Sequence, residues 1–367
     1  MIAATGFAEG DHATPELATI AVRNALAGAG SEFAHSVILL LSGHFIRHAQ
    51  PAISAASRAA NCLQVCGCTV PGLFTEQEQS QDQPAAAALI LCGSVSLRLP
   101  HAGQPRLSFA VPSHLKPDWV SDGNRRFGTV ATAAAEATHG QRGAEGQVWA
   151  QGKLNDGGRV EMAFHGGSLS LGISRGVKPL TPLLEVTDSD NFEILQLGDQ
   201  TALDSLLRQL DPDIRKLDEL PQQRIFAALP ESGIDPELAM QHGRYSLLPI
   251  LRVNRDERSV TLAAPLPLHA RLAWVLREPG AAEQDMRTTL ENIAASATAP
   301  AFGLLFSCIG RGPYFYQGHD RDIAAMRERF PDTPLLGAYG AGEIAPTMPF
   351  STMISYSSVI AMVSHDV

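Results

Sequence analysis

Four groups of residues in this 367-residue chain have the types and spacing to do chemistry. The first surrounds Arg311, which stands between Gly310 and Gly312 just after Ser307-Cys308. A guanidinium can clamp a carboxylate through two parallel hydrogen bonds, and flanking glycines let a ligand approach the backbone closely. The plainer alternatives are a solvated loop charge or a salt bridge to Glu343. Glu343 itself follows the run Gly337-Ala338-Tyr339-Gly340-Ala341-Gly342, and it could accept an ammonium group or pair with Arg311. The second group is Cys66 and Cys68. On a strand they share a face that suits a metal, but no second cysteine pair completes a tetrahedral set. Buried free thiols are therefore expected. The third is His44 and His48, four apart, which would share one face of a helix and could hold a metal or haem. His319 joins them as a candidate ligand, with ordinary polar positions as the default. The fourth is Ser307-Cys308 as a nucleophile with His319 as its base. Nothing in the sequence fixes their geometry, and a serine capping a loop explains the pattern equally well. The glycine run lacks the Gly-x-Gly-x-x-Gly order, Pro346 blocks a helix directly after it, and no Gly-Lys-Ser/Thr occurs. Nucleotide binding and catalysis are not expected.

These groups sit at the corners of periodic elements. Thr14-Pro15 opens a helix that Gly28 or Gly30 ends. Residues 36–41 form a buried strand, followed by a helix over 51–61, a strand over 63–68, a turn over 69–72 and a long strand over 86–99. Residues 100–150 show no persistent period and read as long loops. Strands return at 159–164, 168–173, 183–186 and 192–197, the last two as a hairpin, and Leu203, Leu206, Leu207 and Leu210 mark an amphipathic helix. Residues 210–223 read as a linker. Beyond it come a strand over 224–229, an antiparallel meander over 245–277, a helix over 281–297 and a strand over 301–306. A helix around Ile323, Met326 and Phe330 follows, then strands over 334–339 and 352–363. The class is α/β (α+β) with mixed sheets flanked by helices, and the meander excludes a purely doubly wound sheet.

Two stretches share an order of events. In each, a buried strand ends in a serine corner, a helix follows, and a second strand carries a glycine with another glycine five residues on. The corners are Ser42-Gly43 with Gly67 and Gly72, and Ser307-Cys308 with Gly337 and Gly342. This predicts a duplicated strand-helix-strand unit. The 32 glycines and 24 prolines exceed ordinary usage and collect at such corners, so they mark turns rather than low complexity. A formal net charge of −10 argues against nucleic acid and anionic membrane surfaces, which need clustered Lys and Arg. No apolar run approaches the ~20 residues that cross a bilayer. Glu9 and Asp11 fall where a signal peptide needs an apolar core. Five cysteines fit free thiols in a reducing cytosol.

The corner residues resemble the FIST family of bacterial signal-transduction sensors. Residues 65–72, Val-Cys-Gly-Cys-Thr-Val-Pro-Gly, resemble its Gly-Cys-Thr-x-x-Gly turn. Arg175-Gly176-Val177-Lys178-Pro179-Leu180, Val186-Thr187 and Ala202-Leu203-Asp204 are similar to its middle stretch. Residues 305–312, Leu-Phe-Ser-Cys-Ile-Gly-Arg-Gly, and the run from Gly337 to Glu343-Ile344-Ala345-Pro346 are the strongest matches. The chain departs from the family at Ile309, where Asn is frequent, and at Leu73, where an acidic residue is frequent. The resemblance implies an N-terminal domain over 1–220 and a C-terminal domain over 221–367. It implies a cytoplasmic sensor rather than an enzyme, with no cofactor. The sensor would bind a small ligand such as an amino acid or related metabolite, and signal through a partner such as a histidine kinase in trans. The ligand would lie between the two sets of corners. The expected binding residues are Ser42, Gly43, Gly67, Cys68, Thr69, Gly72, Ser307, Cys308, Gly310, Arg311, Gly312, Tyr339, Gly340, Gly342 and Glu343. Two alternatives are a haem-binding nitric oxide sensor using His44, His48 or His319, and a ligand-free adaptor.

Overall fold

The computed structural model describes residues 3–133, 145–212, 221–241, 243–296, 299–347 and 351–365. Two compact units emerge. One is Met1–Ser174 together with Met286–Val367, and the other is Arg175–Asp285. Neither boundary coincides with the division read at 220/221. Residues 213–220, most of the expected linker, lie outside the described residues.

The first unit contains the duplication in a fuller form than the sequence suggested. One module has strand order Ala3–Glu9, Ala85–Leu91, Ser36–Ser42, Val65–Val70, with the first two pairings antiparallel and the last parallel. The other runs Gly167–Ser174, Ser358–His365, Pro300–Cys308, Leu335–Gly340, with the same sequence of senses. The registers correspond too: Gly67 lies opposite Leu39 in one, and Gly337 opposite Leu305 in the other. Ser36–Ser42 and Ala85–Leu91 are buried at every position. Their unbroken apolar sequences follow from cover on both faces.

Packing explains that cover. Ile38, Leu40, Cys66 and Cys68 on one sheet share a core with Leu304, Phe306, Leu336 and Ala361 on the other. The opposite face of the first sheet, through Val37, Leu39 and Val65, meets Val22 of helix Pro15–Ala29 and Ile53 of helix Ala49–Ala59. The opposite face of the second, through Leu305, Ile360 and Met362, meets Met286, Leu290, Ile293, Ile323 and Met326. The order is helix, sheet, sheet, helix. Helix Pro15–Ala29 begins after Thr14 and ends at Gly30, which takes the left-handed conformation (φ 66°), as the Thr-Pro and Gly signals predicted.

Residues 100–150 correct the expectation of long loops. Arg106–Ala110 and Arg126–Val130 are parallel neighbours in a third, six-stranded sheet, and Leu107, Phe109 and Phe127 reach the shared core. Their strands are short and interrupted by Pro and Gly, so no period accumulates. Residues 134–144 of that stretch lie outside the described residues. The single strands expected over 86–99 and 352–363 are each two, Ala85–Leu91 with Ser96–Arg98, and Thr352–Ile354 with Ser358–His365. The turn expected over 69–72 narrows to Pro71, because Thr69 and Val70 stay in the strand.

In the second unit the predicted meander closes on itself. Arg271–Arg277 pairs with Leu184–Asp190, which leads through Glu193–Leu197, Ser259–Leu262, Tyr245–Asn254 and Ile225–Pro230 back to Arg271–Arg277. Every pairing is antiparallel, so this is a six-stranded barrel with no free edge among these strands. Val186, Ile194, Val260, Leu262 and Trp274 share its core with Leu203 and Leu206 of helix Ala202–Leu207. The buried Trp274 indole donates to Ser205 Oγ at 2.8 Å.

The two equivalent glycines are sterically required. A Cβ at Gly67 (φ +156°) would lie 1.8 Å from the Leu39 carbonyl oxygen, and one at Gly337 would lie 2.0 Å from the Phe74 ring. The nearest atom to a Cβ at Gly342 is 3.4 Å away. Urea denaturation should show Gly67→Ala and Gly337→Ala each losing at least about 2 kcal/mol. Gly342→Ala should stay within about 0.5 kcal/mol of the parent. Equal effects at all three positions would contradict this packing.

Candidate functional site

The C-terminal corner is built where strand Pro300–Cys308 runs into a single tight turn, Ile309–Arg311. That turn directs Arg311 into the protein, and the side chain is 1% exposed. Its guanidinium grips Asp322 with two bonds, Nε to Oδ2 at 2.8 Å and Nη2 to Oδ1 at 3.1 Å. It also donates to the Ser174 carbonyl (2.9 Å) and to Ser174 Oγ (2.7 Å). Asp322 further accepts from the Tyr316 hydroxyl at 2.7 Å. Ser358 Oγ stands between Asp322 (3.0 Å) and Ser307 Oγ (3.1 Å). Ser174 ends strand Gly167–Ser174 and Ser358 begins strand Ser358–His365, so one ion pair ties two strand ends to helix Arg321–Arg329.

Asp320 caps that helix, accepting from the backbone N–H of Asp322 (2.8 Å) and of Ile323 (3.1 Å). Its other oxygen accepts from the Tyr339 hydroxyl at 2.6 Å. Burial, then the neighbouring Asp322 charge, push Asp320 up to about 6. Burial, and next Asp320 itself, raise the Tyr339 phenol, so it stays a donor.

Above Tyr339 lies a cavity of about 380 Å³. Gln79, Ser80 and Gln81 form one wall, and Pro313, Tyr314, Gln317 and Gly318 form the other. Tyr314 donates to Asp82 Oδ2 at 3.3 Å, joining the two walls. Two of the expected glycines meet here. A Cβ at Gly72 would lie 2.9 Å from both Gln81 Cγ and the Tyr339 ring. A Cβ at Gly312 would lie 3.0 Å from Gln81 Nε2 and from the same ring. The absence of side chains at Gly72 and Gly312 is what lets Gln81 and Tyr339 occupy the space beside the cavity. Gln79 Oε1 is 3.4 Å from the Tyr339 hydroxyl.

The structure thus brings Gly72, Gly312 and Tyr339 together and distributes the other expected residues differently. Arg311 pairs with Asp322, and Glu343 Oε2 accepts from the Ser357 hydroxyl at 3.0 Å. Glu343 begins a strand paired with Arg126–Val130 and Thr352–Ile354. Ser307 and Cys308 are buried in their strand, and Gly310 lies within the turn. Gly340 has no room for a Cβ, which would fall 1.9 Å from Thr129 Oγ1. His319 is exposed, and the Ser307 hydroxyl meets Ser358 rather than an imidazole.

The N-terminal corner is spent on backbone. Ser42 Oγ accepts from Ala85 N–H at 3.0 Å and Thr69 Oγ1 from Gln147 N–H at 2.9 Å. Gly43 is buried in the following turn and Gly67 within its strand. Cys66 and Cys68 are free and buried, as expected. Burial pushes the Cys66 thiol up to about 12 and the Cys68 thiol well above its ordinary value. Among the described residues no cluster of three or more His, Cys, Asp or Glu is arranged for a metal. His44 lies in a tight turn and His48 at the start of helix Ala49–Ala59, so the regular helical face assumed for the pair does not form. With His12 they line a separate groove of about 630 Å³, beside Asp11, Thr14 and Pro51.

The sequence reading missed Gln79, Gln81, Tyr314, Tyr316 and Asp322. A signal existed. Gln77, Gln79, Gln81 and Gln83 alternate between two apolar strands, and Tyr314-Phe315-Tyr316 concentrates two of the chain's five tyrosines just after Arg311.

Residues 202–346 match the FIST C domain. The chain is 23% identical over 372 residues to an uncharacterised protein of Mycobacterium bovis, covering 94% of this chain and 93% of the relative. It is 21% identical over 355 residues to an uncharacterised protein of Mycobacterium tuberculosis strain H37Rv, covering 89% and 90%. No helix among the described residues is long and apolar enough to cross a membrane.

Removing either partner of the buried pair strands a charge, so Arg311→Ala and Asp322→Ala should each cost about 3–5 kcal/mol in chemical denaturation. A stable Arg311→Ala protein would show that the guanidinium is not structural. Asp320 binds its proton more tightly folded than unfolded. Its contribution is therefore full below about pH 4 and is lost as pH rises through about 6. Asp320→Asn keeps the cap and should flatten the pH dependence of stability across that window. An unchanged slope would contradict the shift.

Proposed function

We propose that the chain is a cytoplasmic small-ligand sensor of the FIST type, and that its ligand sits in the cavity above Tyr339. The convergence of Gly72 and Gly312 on Tyr339 and Gln81 carries this reading. Two segments far apart in sequence meet there around a volume suited to a small metabolite. The FIST C match supports the sensory role, in which an output such as a histidine kinase would act in trans. We read Arg311 and Glu343 as structural rather than as ligand clamps.

The protein binds its ligand rather than transforming it, in this reading. The support is geometric. Ser307 and Cys308 lie buried, and no imidazole approaches the Ser307 hydroxyl among the described hydrogen bonds. Signal leaves the site through Tyr339. Its hydroxyl holds Asp320, and Asp320 holds the first turn of helix Arg321–Arg329. A ligand that engages Gln79 acts on this relay at its outer end.

The resemblance also raised haem. The groove lined by His12, His44 and His48 is walled by Asp11, Ala13, Thr14 and prolines, without the large apolar side chains that sandwich a porphyrin. His44 Nδ1 is also 3.2 Å from Ser42 Oγ. These residues do not fit haem.

A thermal-shift screen of amino acids and related metabolites tests the proposal. A ligand at about a hundred times its Kd should stabilise the native state by about 2.7 kcal/mol. Tyr314→Ala, at a wall residue 74% exposed, should abolish the shift without lowering the starting Tm. A hit indifferent to Tyr314→Ala would place the site elsewhere. Haem reconstitution should yield no Soret band.

A further inference from the structure

We infer that the cavity above Tyr339 selects an uncharged ligand bearing an amide or lactam group, a carbonyl acceptor beside an N–H donor. The inference rests on the reading of this cavity as the ligand site. It replaces the charged amino-acid termini that Arg311 and Glu343 had suggested.

The wall chemistry is the first argument. Its side chains are three glutamines, a serine, a proline and a tyrosine, with Gly318 completing the set. None carries a formal charge. The nearest cation in sequence, Arg311, is turned inward and bonded to Asp322 and Ser174. A carboxylate entering here would lose water without gaining an opposite charge, and an ammonium would find none among the lining side chains. Asp82 sits at the rim, where its carboxylate accepts from Tyr314.

The second argument is the inventory of donors and acceptors. Gln81 Nε2 is buried and has no hydrogen-bond acceptor among the described residues. It is held against Gly312, and its stem lies against Gly72, so the amide cannot swing far to find one. A buried donor of this kind is satisfied by a carbonyl oxygen. Gln79 supplies the reciprocal group. The single Tyr339 proton is directed to Asp320 at 2.6 Å, while Gln79 Oε1 stands 3.4 Å from the same hydroxyl. The Gln79 carbonyl therefore retains capacity to accept an N–H. Donor and acceptor belong to one short segment, and Gln79 and Gln81 both line the cavity. That pair matches the acceptor and donor edges of an amide. The Pro313 and Tyr314 rings supply the apolar walls that a small amide's carbon skeleton would contact.

Titration calorimetry on the full chain tests this with matched probes. N-acetylglycinamide and 2-pyrrolidinone are neutral amides. N-acetylglycine replaces the terminal amide with a carboxylate, and glycinamide exposes an ammonium. The neutral probes should bind at least about tenfold tighter than the charged ones. Gln81→Leu, which keeps bulk and removes the donor, should weaken the neutral probes by about tenfold. Tyr314→Ala guards against a folding defect at Gln81, since it sits on the exposed wall. Charged probes that bind as well as neutral ones, with the same sensitivity to Tyr314→Ala, would overturn the amide class and leave the cavity as the site. Failure of every probe, or binding indifferent to both variants, would overturn the site together with the inference.

Discussion

The corner that carries the cavity depends on a salt bridge that never meets water. Arg311 and Asp322 are 1% and 0% exposed, and their bond is bidentate. Taking both charges out of water is costly, and the pair persists because Ser174, Tyr316 and Ser358 satisfy what the two partners leave over. Each of those groups comes from a different part of the chain. The ion pair therefore fixes where strand Gly167–Ser174 ends, where strand Ser358–His365 starts and how helix Arg321–Arg329 enters. The loop over 312–318, which forms one wall of the cavity, is held at both ends by this arrangement.

This use of Arg311 determines what the cavity can offer. Once the guanidinium is committed inward, polar character at the cavity falls to amides, a serine and a phenol. The same logic separates the two corners of the duplicated fold. In the first module Ser42 and Thr69 satisfy backbone N–H groups of the segments that cross them, and Gly67 is closed over by the Leu39 carbonyl and Trp149. In the second, the glycines at 72 and 312 leave space that side chains only partly fill. Duplicated topology has produced one closed corner and one hollow one.

The legible parts of the sequence were those where a local signal and the packing agree. The helix from Pro15 to Gly30 has its start and stop written in single residues, and continuous apolar runs announced the doubly covered strands. The duplication was legible through its serine corners and glycines. Its first strands, Ala3–Glu9 and Gly167–Ser174, were not seen as equivalents, because Gly167–Ser174 pairs with Ser358–His365 near the far end of the chain, and pairing at such range leaves no local trace. Residues 106–130 failed for a related reason: strands of five residues between loops do not build a period. Arg311 was singled out by its glycine neighbours. Its direction was not, because a tight turn can aim a side chain either way, and only Asp322, eleven residues on, decides it.

Tyr339 links the cavity to the rest of the second module. The ring is fully buried and packs against Phe74 with centroids 4.9 Å apart, so it cannot drift without disturbing the strand that carries Gly72. Its hydroxyl, by contrast, has one proton and two oxygens nearby, and Asp320 holds the closer position. Deprotonated Asp320 binds that proton strongly and keeps Gln79 an acceptor toward the cavity. Protonated Asp320 is a weaker acceptor, which frees the phenol to turn toward Gln79 and consume the acceptor there. Under the proposed function, occupancy of the cavity and the charge of Asp320 are then linked, because each changes the hydrogen bond the other needs. Since Asp320 also caps helix Arg321–Arg329, the helix start feels both. A rigid ring with one movable proton is thus sufficient to connect a neutral cavity to a helix terminus without any displacement of the backbone.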